Sequence, residues 1–159
     1  MEQKYSADID KVFSLLTDPK WLEERSLAMG ELSARIKASK SATGVRLAMT
    51  RRVRRDLPAL VAKVLSPEAD LQFEEHWESA EGGGYIGTLS MDIVGQPVKM
   101  RAEFELAPAG KGCIYRIAHH AKCSIPLVGG PVAKFAQGQI EEGCAEEIAY
   151  LLSYLKKKK

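Results

Sequence analysis

Three charged side chains stand on strand faces that are otherwise apolar, and they hold most of the chemistry this sequence offers. Glu75 shares its face with Leu71, Phe73 and Trp77, His119 falls with Tyr115, Ile117 and Ala121, and Arg51 interrupts Leu47, Met49 and Val53. A charge among core positions is unfavourable unless it is paired or wet. One reading makes Glu75 and His119 polar contacts that orient a ligand in an apolar pocket. The other puts them at strand ends, at bulges that reverse the face, or in satisfied internal pairs. Burial drives Glu75 toward its neutral acid form unless a cation partners it, and His119 is the histidine available on that face. As an acid and a base they are the catalytic candidates, since no other catalytic constellation is visible.

The remaining motifs point away from familiar chemistry. There is no GxSxG, no Cys–His pairing signature and no phosphate loop; Gly82-Gly83-Gly84 joins two strands rather than a strand and a helix. His119 and His120 are neighbours in a strand and face opposite ways. Cys113 and Cys123 share a face but lie about 33 Å apart on an extended strand, too far for a shared zinc ion or a disulfide. Cys144 can approach one of them across the core, where inert buried thiols are common. No metal and no cofactor is expected. The arginines of Arg51-Arg52-Val53-Arg54-Arg55 divide between two faces and have no interleaved aromatics, which argues against nucleic acid. The net charge of +2 agrees. The lysine tail 156–159 suits the end of a helix, and without a second apolar signal it gives no stable membrane insertion.

These residues need elements to position them. Met1 to Tyr5 reads as a strand. Ser6 or Asp8 caps a helix whose stripe is Ile9, Val12, Phe13, Leu15 and Leu16. Pro19 opens a second helix carrying Trp21, Leu22, Leu27 and Met29, and Gly30 ends it. From Glu31 to Ile125, six segments alternate apolar and polar residues, separated by turn-forming stretches at Ser41–Gly44, Gly82–Gly84, Gly95–Pro97 and Pro108–Gly112. Asp56 to Pro67 breaks the rhythm as a short helix or packed loop. A long helix over about Pro131 to Leu155 follows, with Val132, Phe135, Ala136, Gln139, Ile140, Gly143, Cys144, Ile148, Leu151, Leu152 and Leu155 on one side. Gly143 in mid-helix costs ~1 kcal/mol relative to Ala, so close approach of sheet or ligand is expected there. The chain reads as one domain over 1–159, with no linker. The opening MEQKYSADID is not a secretory signal, and no run approaches the ~20 apolar residues of a membrane span. Three cysteines without a framework spacing fit a reducing compartment, so a cytoplasmic protein is expected. The sequence carries no signal for an oligomeric state.

The order of strand, two short helices, antiparallel strands and long helix, with "YSADIDKVFSLLTDPKWL" and "IPLVGGPVAKF", resembles the helix-grip fold of the START-like or SRPBCC superfamily. That superfamily includes birch pollen allergen-like proteins, polyketide cyclases and lipid-transfer domains. The motifs are most similar to a bacterial domain-of-unknown-function branch. The resemblance implies an α+β domain with a curved antiparallel sheet of about seven strands gripping the C-terminal helix, and a hydrophobic pocket between them.

Alternation assigns Leu47, Met49, Phe73, Trp77, Leu89, Met91, Met100, Phe104, Tyr115, Ile117 and Phe135 to the pocket lining, with Glu75, His119 and Gln139 as polar contacts. The expected function is non-enzymatic binding or transport of a hydrophobic small molecule such as a lipid, isoprenoid or polyketide-like compound. The alternatives are a cyclase- or hydratase-like enzyme using Glu75 and His119, and a protein-interaction module with a filled cavity.

Overall fold

The computed structural model describes residues 1–157; the last two lysines of the 156–159 tail lie outside the described residues. The elements are β1 (Glu2–Tyr5), α1 (Ile9–Leu16), α2 (Pro19–Ala28), β2 (Ser33–Lys40), β3 (Gly44–Arg54), β4 (Glu68–Ala80), β5 (Gly84–Ile93), β6 (Val98–Ala109), β7 (Gly112–Cys123) and α3 (Gly129–Lys157). Of the two candidates for the cap of α1, Asp8 is the one used, and Asp18 caps α2. Asp8 accepts from the Asp10 N–H at 2.9 Å and Asp18 from that of Lys20 at 2.9 Å, with Pro19 in the first turn of α2. The Asp56 to Pro67 segment is a loop with one 3-10 turn, Val61–Lys63, anchored by buried Val61 and Leu65.

All strands pair antiparallel in one sheet of order β1-β7-β6-β5-β4-β3-β2. Strands β2 to β7 form a meander, and β1 returns to pair with β7. The helices α1 and α2 therefore carry the chain from one edge of the sheet to the other and cover part of its apolar face. α3 starts two residues earlier than the periodicity predicts. Gly129 makes this possible, since a Cβ there would sit 2.7 Å from the Cys123 carbonyl oxygen.

Strand register arranges the inward side chains in rows. One row runs Val45–Trp77–Gly87–Phe104–Ile117, the next Leu47–Glu75–Leu89–Ala102–His119, and the third Met49–Phe73–Met91–Met100–Ala121. The first row is packed solid around Trp77. The Phe104 ring lies 4.4 Å from that of Trp77, and the Phe13 ring of α1 meets Trp77 edge-on at 5.6 Å and stacks on Tyr85 at 3.6 Å. Gly87 is required here, because a Cβ would meet the Phe104 ring at 2.1 Å.

Helix side chains also close the two sheet edges. Glu23 of α2 accepts the Ile36 N–H of β2 at 2.8 Å. Gln137 of α3 accepts the Ala121 N–H at 2.9 Å and donates to the His119 carbonyl at 3.3 Å, beyond the point where β1 stops pairing with β7.

Candidate ligand-binding cavity

Beyond the packed row, the space between sheet and α3 is not filled. A cavity of about 180 Å³ is lined by most of the second and third rows, by Phe104 and Ile117 at the inner end of the first, by α3 from Phe135 to Glu147, by Leu22 and Arg25 of α2, and by the loop residues Arg55, Leu57, Leu65, Ser66 and Pro67. Its lining on and before β4 runs from Pro67 to Glu75, roughly 26 Å of extended chain. Met49, Met91 and Met100 supply flexible apolar walls. Gly143 lines the cavity too, and a Cβ built on it meets nothing within 4 Å. The expected close approach of the sheet is therefore absent; free volume takes its place.

Arg51, on β3, is buried and forms an internal ion network. Its Nε lies 2.9 and 2.8 Å from the two Glu31 carboxylate oxygens, its Nη2 bonds Glu31 as well, and the same nitrogen reaches Glu147 of α3 at 3.0 Å. Glu147 also pairs with Arg25 of α2 at 3.1 Å, and the Arg51 guanidinium lies over the Phe73 ring at 4.9 Å. Burial works against the charge of Arg51, but Glu147 and Glu31 outweigh it and hold its pKa high. Burial likewise opposes the charge of Glu147, while Arg25 and Arg51 hold its pKa low. Two cations and two anions thus balance at this end of the cavity. Glu147 keeps 24% of its side-chain surface and stands on the cavity lining.

Glu75 lies beside this network and accepts a hydrogen bond from the Trp77 indole N–H. Burial pushes its carboxyl up to about 7, although the Trp77 hydrogen bond and Arg25 pull the other way. Burial also lowers the pKa of His119, keeping the imidazole neutral, and raises the Tyr115 phenol. Glu75 and His119 belong to one row, three strands apart, roughly 14 Å along the sheet. They border one cavity without touching.

Of the fourteen residues assigned from sequence, twelve lie on this cavity: Met49, Phe73, Glu75, Leu89, Met91, Met100, Phe104, Tyr115, Ile117, His119, Phe135 and Gln139. Leu47 and Trp77 do not. They are 1% and 0% exposed in the packed core, Trp77 walled by the rings of Phe13, Phe104 and Tyr115. Arg25 and Glu147 went unassigned, although spacing marks both. Glu147 comes seven residues after Ile140 and three after Cys144, on the inward stripe of α3, and Arg25 comes four after Trp21.

Comparison with known proteins agrees with this geometry. Residues 1–155 match DUF2505, described as a protein of unknown function. The chain belongs to the DUF2505 family. No curated protein matches it. Among solved structures it is similar to an uncharacterized protein from Rhizobium leguminosarum (12% identity, TM-score 0.61, covering 99% of this chain and 92% of that one). It is also similar to a STAR-related lipid transfer protein from Xanthomonas axonopodis (15%, 0.57, 94% and 82%) and to Ara h 8.0201 (15%, 0.56, 96% and 95%). At these identities the likeness establishes the helix-grip fold and not a ligand. Among the described residues, no helix of this DUF2505 member is long and apolar enough to cross a membrane.

Proposed function

We propose that this protein binds a hydrophobic small molecule in its cavity and carries or presents it in the cytoplasm without transforming it. Gly143 carries the reading. A glycine in mid-helix gives up ~1 kcal/mol relative to alanine, and the position does not need it for clearance, since a Cβ there meets nothing within 4 Å. What it preserves is volume in the cavity that it lines. An apolar cavity of about 150 Å³ admits benzene, so the 180 Å³ found here suits a single ring or one chain, of an acyl, isoprenoid or monocyclic aromatic kind. The fold shared with a STAR-related lipid transfer protein supports the same class.

The enzymatic alternative is favoured by one observation, the rise of Glu75 to about 7, where a carboxyl can exchange protons. Against it stands His119, to whose ring nitrogens no hydrogen bond is made among the described residues, so nothing orients it as a base.

Native mass spectrometry of protein from its own host should find a co-purified ligand, and a neutral environment-sensitive dye should bind the purified protein. Gly143→Leu, which fills the cavity with a better helix former, should keep the circular dichroism spectrum and melting temperature but lose the dye. Undiminished dye binding in that variant overturns the cavity reading. Turnover of the co-purified ligand, lost in Glu75→Gln, overturns the carrier in favour of the enzyme.

A further inference from the structure

The charged residues of the cavity constrain where a ligand can keep a charge of its own. The ionisable side chains on the lining that bear on this are Arg25, Arg51, Arg55, Glu75, His119 and Glu147. At the deep end, Arg25 and Arg51 are matched by Glu147 and Glu31. The Arg25 Nε is buried there without a hydrogen-bond partner, but the charges of the two arginines are already matched, so a further ion adds unbalanced charge to a buried network. His119 is neutral, and burial disfavours the anion of Glu75.

The loop end differs. There the lining is Arg55, Leu57, Leu65, Ser66, Pro67 and Gln96. The loop is held in place by its backbone, with the Arg55 N–H on the Pro67 carbonyl at 2.8 Å and the Ser66 N–H on the Gln96 side-chain oxygen at 2.8 Å. The neighbouring arginines are occupied: Arg52 pairs with Glu68 and Asp70, and Arg54 with Glu68. Arg55 forms none of the ion pairs among the described residues, and it is half-buried beside an apolar channel. A guanidinium so placed has five donors in a planar fork and no acceptor of its own.

We infer that the ligand is a single-chain organic anion, with its acid group at the Arg55 mouth and its apolar chain running inward toward Glu75. This inference rests on the carrier reading above. It adds a direction and a charge: the tail enters the methionine row, and the head stays at the loop 55–67, where carboxylate or phosphate can accept the Arg55 fork.

The test is displacement of the neutral dye by octanoate, octyl phosphate, octanol and octylamine, on the full chain and on Arg55→Gln and Arg55→Lys. One or both anions should bind the wild type about tenfold more tightly than the alcohol, the size expected for one charge-assisted pair near a surface. Arg55→Gln should remove that preference while leaving octanol unchanged, and Arg55→Lys should restore part of it. The octanoate and octyl phosphate arms tell a carboxylate from a phosphate head. Equal affinity for anion and alcohol, a preference for octylamine, or an anion preference that survives Arg55→Gln overturns the orientation while the cavity reading stands. If none of the four displaces the dye although Gly143→Leu abolishes its binding, the single-chain assignment fails. If Gly143→Leu leaves dye binding intact, the carrier reading itself fails.

Discussion

Two adjoining stretches of the same inward face end in opposite ways. Around Trp77, the row Val45–Trp77–Gly87–Phe104–Ile117 is closed by α1, whose Phe13 stacks on Tyr85 and meets Trp77 edge-on. Two rows along, Met49, Phe73, Met91 and Met100 border free volume. The strands, the alternation and the curvature are shared. The difference lies in what comes across from the helices: an aromatic ring at one end, a glycine at the other. The alternation of a strand thus says which side chains face inward, and the opposing helix decides whether they pack or enclose space.

The largest test of that contrast is truncation. Trp77→Ala should destabilise by about 4 kcal/mol, because a large, fully buried ring leaves a cavity. Phe135→Ala, on the cavity wall and already lacking neighbours on one side, should cost distinctly less. Chemical denaturation at neutral pH measures both. Equal losses would mean that the two ends are packed alike.

Next comes pH. Folding raises Glu75 from 4.5 to about 7, so over that interval the native state holds a proton that the unfolded chain has released. The stabilisation is whole below the unfolded value and is lost as pH rises through about 7. For a shift of this size it amounts to about 3 kcal/mol. Glu75→Gln should flatten this part of the stability curve, gaining on the wild type as pH climbs through that range. Parallel curves for the two proteins would show that Glu75 titrates as an ordinary carboxylate.

The smallest effects come from two glycines expected to respond with opposite sign. Gly143→Ala places a methyl in open space within a helix and should stabilise by ~1 kcal/mol. Gly87→Ala drives a methyl into the Phe104 ring, 2.1 Å from the nearest carbon, and should destabilise by about 1–3 kcal/mol. Thermal melts of the pair are decisive, and a shift in the same direction for both would erase the distinction between the two ends.

The sheet was legible in the sequence because each strand has one buried face, so Leu71, Phe73 and Trp77 or Tyr115, Ile117 and Ala121 announce their side at once. The same regularity exposed Arg51, Glu75 and His119 as exceptions. It did not reveal that Arg51 is satisfied, because its partners come from Glu31, just before β2, and Glu147 on α3, and pairing across the core depends on how α3 lies over the sheet. Glu147 lies on the helical spacing of the inward stripe, but nothing in the sequence sets it apart from the solvent-facing acids of α3. Periodicity places Trp77 on the inward face but has no measure of volume; the rings of Phe13, Phe104 and Tyr115 remove the space beside it.

The grip of Gln137 on the free stretch of β7 gives the cavity a preferred door. Peeling α3 away would break that side chain's bonds to Ala121 and His119 and leave an unpaired strand edge in water. Swinging out the loop 55–67 uncovers no such edge; it lifts Val61 and Leu65 from their buried seats and breaks the bond from Ser66 to Gln96. Traffic into and out of the protein should therefore pass the loop, and the rate of exchange should follow the packing of Val61 and Leu65 more closely than the stability of the sheet.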